Sequence, residues 1–153
     1  MRPTIGTPET ALAVVGLLFL LGWAIPAWAV DPGAIDGALK ACLQAHEDTA
    51  GMVECQASAI KQWDTALNAA YQDLMRTLSD QGRTNLREAQ RDWIKFKDAE
   101  LTFLRGVFQE ETGTIWAIVS GNQVIDLLRQ RTVQLRCRAK MTDMAAPPDP
   151  DCP

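Results

Sequence analysis

Apolar residues recur at steps of three and four along two long stretches of this chain, and this periodicity limits its fold more than any other feature. The first repeat runs from Met52 to Leu78 and the second from Leu86 to Phe108. Such spacing places apolar side chains on one face of an α-helix, whereas a strand requires alternation at every second residue. No stretch shows strand alternation bounded by hairpin turns. The sequence therefore predicts an all-α fold with two long helices.

Turn and capping residues give approximate limits for the first three helices. We expect a short helix over residues 34–47 and a long helix over 52–78, with Thr49 as the candidate N-cap of the second. Gly82 is the expected breaker after the second helix, and a third helix is expected over 84–110. The two long helices, joined by a tight turn, are expected to dominate an irregular antiparallel bundle of about four helices stapled by disulfides.

A fourth helix is expected from Ser120 to about Lys140, because Ser120-x-x-Gln123 has the form of a capping box. Residues 112–119 are then expected to form an apolar loop that contains Trp116. A loop aromatic is a better candidate for a binding hot spot than an aromatic within a helical stripe. Trp116 is therefore the candidate partner contact, with packing onto the core as the alternative.

The first thirty residues have the layout of a secretory signal. An uncharged apolar run over residues 11–25 follows Arg2, Pro26 breaks it, and Ala27-Trp28-Ala29 has small residues at the two positions that a signal peptidase inspects. The run is shorter than the roughly 20 residues that a spanning helix needs. We expect residues 1–29 to be a cleaved signal peptide, with an uncleaved anchor as the alternative.

Four cysteines lie in the expected mature chain, and an even number in a short exported chain indicates a disulfide framework. Of the three possible connectivities we favour Cys42–Cys55 and Cys137–Cys152, because each pair is local. Each would close a loop of about 15 residues and would stabilise the folded state by roughly 3 kcal/mol, because it restricts the unfolded chain. The spacing resembles no zinc site, since Cys-x-x-Cys is missing and His46 is the single histidine. No metal or cofactor is expected.

Charge and side-chain chemistry exclude two classes of function. The net charge of −4 disfavours nucleic-acid binding, which needs clustered Lys and Arg, and is compatible with a basic protein partner. His46 has no Ser or Cys placed to act as its nucleophile. Asp98 and Glu100, two positions apart on a helix, do not share a face and make a poor carboxylate pair. The sequence therefore predicts no catalytic residues and a protein that is not an enzyme.

Several motifs occur together in the predicted helical region. They are Met52-x-x-Cys55, Leu67-Asn68-x-x-Tyr71, Ala89-Gln90-Arg91-x-Trp93-Ile94-x-Phe96, Gly113-Thr114-Ile115 and Arg131-Thr132. In this order the chain resembles the LprI-like family of exported bacterial proteins, which is named for a lysozyme inhibitor. The resemblance implies an LprI-like helical domain over residues 30–144 in a periplasmic or secreted protein. A Pro- and Asp-rich tail, residues 145–153, would be tied to this domain by Cys152.

The resemblance also implies a function. It points to an exported binding protein that inhibits or modulates lysozyme or a related cell-wall hydrolase. Lysozymes are typically basic, so an acidic partner would be steered toward them. The alternative is a periplasmic structural or assembly module of the cell envelope with no inhibitory activity.

Polar residues of the family motifs lie on or beside the apolar stripes. Some of the residues Asn68, Gln90 and Arg131 are therefore expected to be half-buried, and a buried polar group without a hydrogen bond costs about 1–3 kcal/mol. We expect them to form a network between helices that fixes helix register, with Tyr71 contributing its hydroxyl and Trp93 beside them. The functional alternative is that these residues line a partner-binding groove.

Overall fold

The computed structural model describes residues 31–109 and 113–142 and Cys152. These residues form four helices: α1 (Pro32–Ala45), α2 (Thr49–Thr77), α3 (Asp80–Gln109) and α4 (Ile115–Met141). The described ranges contain no strand, so the predicted all-α class is confirmed. The predicted signal peptide and most of the predicted tail lie outside the described residues and stay predictions.

Aspartates cap the first two helices. The carboxylate of Asp31 accepts a hydrogen bond from the backbone N–H of Gly33 at 3.1 Å, and Asp48 accepts one from Gly51 at 2.9 Å. The prediction that Thr49 caps α2 is wrong, because the preceding aspartate supplies the oxygen and Thr49 is the first helical residue. The hydrogen bond from Gly51 lowers the pKa of Asp48 below its usual value.

The connection between α2 and α3 is a two-residue turn of Leu78 and Ser79. The hydroxyl of Ser79 accepts a hydrogen bond from the backbone N–H of Gly82 at 3.2 Å, which provides an acceptor for one otherwise unpaired donor at the start of α3. Gly82 therefore lies in the first turn of α3, and the prediction that it breaks the preceding helix is wrong.

The start of α4 also differs from the prediction. The helix begins at Ile115, directly after a turn in which Gly113 has φ of +124°, a value that favours glycine. Ser120 lies inside the helix, where its hydroxyl donates to the carbonyl of Trp116 at 2.8 Å. This local bond back to the preceding turn replaces the predicted capping role. Residues 115–119 of the predicted loop are thus the first part of α4, and Trp116 is helical.

The largest helix–helix interface joins α2 and α4, which run in parallel. The hydroxyls of Thr49 and Thr114 lie 3.4 Å apart at the start of both helices, and those of Thr77 and Thr142 lie 2.9 Å apart at their ends. Consecutive helices alternate in direction, as predicted. The two longest helices, α2 and α3, are joined by a tight turn as predicted, but the most extensive packing is between α2 and α4.

The core lies between α1, α2 and α4 and is centred on Trp63, whose side chain has no exposed area. Around it are buried apolar residues of these three helices: Ile35, Ala59, Ala66, Leu67, Ala70, Leu74, Ile125, Leu128 and Leu135. From α3 only Leu86 is buried among the described residues, so most of α3 packs along the outside of the bundle. No described helix is both long enough and apolar enough to cross a membrane.

Both disulfides have the predicted partners. Cys42–Cys55 joins the last turns of α1 to the first turns of α2, with the Cα atoms 5.7 Å apart. Cys137–Cys152 joins α4 to the C-terminal segment, with the Cα atoms 5.4 Å apart. The favoured connectivity is therefore confirmed.

A close crossing fixes the register of α2 against α4. The side chain of Gln56 is 2% exposed, and its amide nitrogen donates to the carbonyl of Ile118 and to the Asn122 side-chain oxygen, both at 2.8 Å. Gly121 lies against this amide, and a Cβ atom there would overlap it. The absence of a side chain at this position allows the two helices to approach.

Replacing Gly121 by Ala is expected to destabilise the protein by about 1–3 kcal/mol, because the Gln56 amide must move and lose its hydrogen bonds. Chemical denaturation measures this change. The control is Gly37→Ala in α1, where a Cβ meets nothing within 4 Å. That variant should gain about 0.5–1 kcal/mol from helix propensity. Equal effects of the two substitutions would contradict the close crossing.

Candidate functional site

A cluster of motif residues lies where α3 meets α4. The guanidinium of Arg131 donates from Nε to the side-chain oxygen of Gln90 at 3.0 Å and from Nη1 to that of Gln134 at 2.6 Å. Its central carbon is also 5.7 Å from the centroid of the Trp93 ring. The structure therefore brings together three of the five predicted network residues, Gln90, Trp93 and Arg131, across two helices.

The charge of Arg131 is compensated weakly. The residue is 6% exposed, it forms no ion pair within the described ranges, and its Nη2 atom is buried without a hydrogen-bond partner there. Burial lowers the pKa of Arg131, and the nearby positive charge of Arg138 lowers it further. The face of Trp93 supplies a favourable electrostatic contact. Neutral amides and one aromatic ring thus hold this buried cation.

The other two predicted members lie apart from this cluster. Asn68 is exposed, and its amide nitrogen donates to Asp64 on the same helix at 3.3 Å. Tyr71 is half-buried against the core, and its hydroxyl makes no hydrogen bond to the described part of the chain. Neither residue links two helices through a polar contact, so the predicted five-residue network reduces to a smaller one.

A second polar cluster was not predicted from the sequence. Arg129 donates to both carboxylate oxygens of Asp36 on α1, at 2.6 and 3.1 Å, and to Asp126 at 2.5 Å. Its guanidinium also lies 5.4 Å from the centroid of the Trp63 ring. The hydrogen bond to Asp36 raises the pKa of Arg129. This cluster joins α1 to α4, and only the Asp126 pair, at helical spacing, could have been expected.

Trp116, the candidate partner contact, is half-buried in the first turn of α4. The neighbouring Ile115 is 55% exposed. Because α2 and α4 begin side by side, these residues lie at the same end of the bundle as the α1–α2 turn. The apolar surface at the start of α4 is thus partly covered and partly open to solvent.

His46 lies beside the first disulfide. A ring nitrogen of His46 and the sulfur atoms of Cys42 and Cys55 lie within 4.8 Å of one another. Gly51 leaves room for the imidazole, since a Cβ at this position would meet it at about 3 Å. The two sulfurs are bonded to each other and offer no thiolate for nucleophilic attack or for metal ligation.

Clefts lie along more than one side of α4. One of about 350 Å³ separates α3 from the first half of α4 and is lined by Leu101, Leu104, Arg105, Ser120 and Val124. Another of about 460 Å³ lies between α1 and α4, beside the Asp36–Arg129 ion pair. A further cleft, also of about 460 Å³, runs along the second half of α4 and is lined by Arg129, Gln130, Val133, Gln134, Cys137, Arg138 and Met141. His46 does not line any of these three clefts.

Comparison with known proteins identifies the family. The model of the family described as "Lysozyme inhibitor LprI" matches residues 40–135. A crystal structure of an uncharacterised protein from Burkholderia thailandensis superposes with a TM-score of 0.67 at 31% sequence identity, covering 76% of this chain and 57% of that one. The present chain thus spans little more than half the length of that protein. A search of curated proteins finds no match.

Replacing Gln90 by Ala is expected to lower the free energy of unfolding by about 1–3 kcal/mol, because Nε of the buried Arg131 loses its acceptor. Asn68→Ala is the matched control, since this amide is exposed, and a change within about 0.5 kcal/mol is expected. Thermal and chemical unfolding measure both variants. Unchanged stability of the Gln90 variant would indicate that the cluster does not stabilise the fold and would favour the binding-groove alternative.

Proposed function

The chain belongs to the lysozyme inhibitor LprI family, and we propose that it is an exported binding protein that inhibits or modulates lysozyme or a related cell-wall hydrolase. The observation that carries this proposal is the extent of the family match. Residues 40–135 include the end of α1, all of α2 and α3 and most of α4. The match therefore covers nearly all of the packed body and not an isolated motif.

The described side chains support binding rather than catalysis. The buried Arg131 and the half-buried Arg129 hold helices together through Gln90 and Asp36. The cysteines beside His46 form a disulfide. A helical domain held by two disulfides is expected to be rigid, and rigid surfaces lose little conformational entropy when they bind a partner.

Charge supports a basic partner. The chain has a net charge of −4, and lysozymes are typically basic. Opposite net charges accelerate association at low ionic strength, and salt screens this attraction over a Debye length of about 8 Å at physiological ionic strength. An inhibitor that acts in this way should lose affinity as salt is added.

The second candidate is a structural or assembly module of the cell envelope. It is favoured by the outer surface of α3, where Phe96, Phe103 and Val107 are 55%, 62% and 43% exposed. These side chains recur at helical spacing and form an apolar stripe without a partner in the described ranges. Docking through such a stripe would depend weakly on salt.

The purified, oxidised chain from Val30 to Pro153 is expected to inhibit a basic animal-type lysozyme stoichiometrically in a lytic assay. The inhibition is expected to weaken as sodium chloride is raised from low to moderate concentration, because screening reduces the attraction between the two proteins. The rate of cell-wall lysis at increasing molar ratios measures the effect.

A reduced and unfolded sample of the same chain is the control for non-specific inhibition. Circular dichroism should show that the oxidised sample is helical before the assay. A folded domain that leaves lysis unchanged at tens of micromolar (about ten times a weak micromolar Kd) would overturn the inhibitor proposal. Salt-independent binding to an envelope protein would support the assembly module instead.

A further inference from the structure

One end of the bundle combines acidic and apolar exposed residues. The adjacent starts of α2 and α4, marked by the contact between Thr49 and Thr114, bring together two stretches that are distant in sequence. Four exposed residues from these stretches define what we name the acidic end: Glu47, Val53, Glu54 and Ile115. Val53 is 38% exposed and Ile115 is 55% exposed.

Lys and Arg are missing from the parts of α2 and α4 that form this end, although Arg105 near the end of α3 lies close to it, since it lines a cleft together with Ser120. Residues 41–60 and 113–128 contain no Lys or Arg, whereas residues 129–142 contain five basic residues and no acidic one. Because α2 and α4 are parallel, the first two stretches lie at one end of the bundle and the third lies at the other. These two helices therefore carry a charge gradient, with the positive charge concentrated at the end away from Glu47 and Glu54.

Helix dipoles do not produce this gradient. Two helices begin at the acidic end, and α1 ends there as well. The last residue of α3, Gln109, is four residues before Gly113, so the end of α3 lies within about 14 Å of Gly113 and also belongs to the acidic end. Opposed helices cancel most of each other's dipoles. Asp48 caps α2. Within the described ranges no ion pair involves Glu47 or Glu54, and both are exposed, so their charges are available to a partner.

The geometry points to the acidic end as the surface that contacts a basic protein partner, with the two glutamates attracting the partner and Ile115 and Val53 forming the apolar centre of the contact. This inference rests on the proposed function and specifies which surface carries it. The half-buried Trp116 lies beside this surface. The basic residues within 129–142 would then lie away from the bound partner, and Phe103 and Val107, which are close to the end of α3, would lie at the margin of the contact.

The test compares two Glu→Lys substitutions that alter net charge equally at different places. Glu54→Lys changes the acidic end, and Glu88→Lys changes an exposed position on α3. Binding of the oxidised chain to a basic animal-type lysozyme is measured by biolayer interferometry at low and moderate salt. Glu54→Lys is expected to raise Kd about tenfold at low salt, mainly by slowing association, and Glu88→Lys about twofold or less.

Two further variants keep the result interpretable. Glu54→Gln removes the charge without adding a cation beside the start of a helix, and an increase in Kd of about threefold is expected. Ile115→Ser is expected to increase the dissociation rate about tenfold with little dependence on salt, because it removes apolar contact. Thermal unfolding of every variant should match that of the unmodified chain.

The outcomes separate the two proposals. If the unmodified chain binds and Glu54→Lys weakens binding no more than Glu88→Lys, the acidic end is not the contact surface, although the binding function stands. If Phe103→Ser abolishes binding while both lysine variants bind normally, the stripe of α3 is the surface and this inference is overturned. If the unmodified chain binds no lysozyme at any salt concentration, the proposed function fails and the inference fails with it.

Discussion

The parallel packing of α2 against α4 is the constraint on which the rest of this structure depends. Two parallel helices that are close in sequence need a return segment of comparable length, and the 30 residues of α3 provide it. This explains why α3 is long but buries little: its length is set by the distance it must cover. Trp63 and the small residues around it allow the α2–α4 contact, and α1 closes the remaining side of the core through the Asp36–Arg129 ion pair.

Periodicity in the sequence predicted the helices but not their partners. The apolar steps in α2 and α3 identify the faces that avoid water, yet such faces carry no information about which helix will cover them. The start of α4 was predicted five residues late because Ser120 and Gln123 have the spacing of a capping box. In the folded chain, the left-handed backbone of Gly113 and the local bond from Ser120 to Trp116 place the helix start earlier.

For the polar residues, too, the sequence predicted which side chains are partly buried better than it predicted their partners. Gln90 and Arg131 were predicted to interact because both interrupt apolar stripes, where an unpaired polar group would be costly. Asn68 belongs to the same motif pattern but faces water, since one step along a helix rotates a side chain by about 100° and periodicity fixes a face only approximately. The pairs Asp36–Arg129 and Gln56–Ile118 are separated by 93 and 62 residues, beyond any spacing rule.

Parallel pairing across a long separation also sets an order in which this chain can fold. Contacts such as Thr49–Thr114 and Thr77–Thr142 each join residues 65 positions apart, so the main interface cannot form until nearly the whole chain is available. Non-local contacts of this kind slow folding. If the chain crosses a membrane amino end first, α1 and α2 can pair and close the Cys42–Cys55 bridge early, while the face of α2 that later meets α4 stays open. The Cys137–Cys152 bridge joins α4 to a residue 15 positions further on, so it can close only after α4 has crossed.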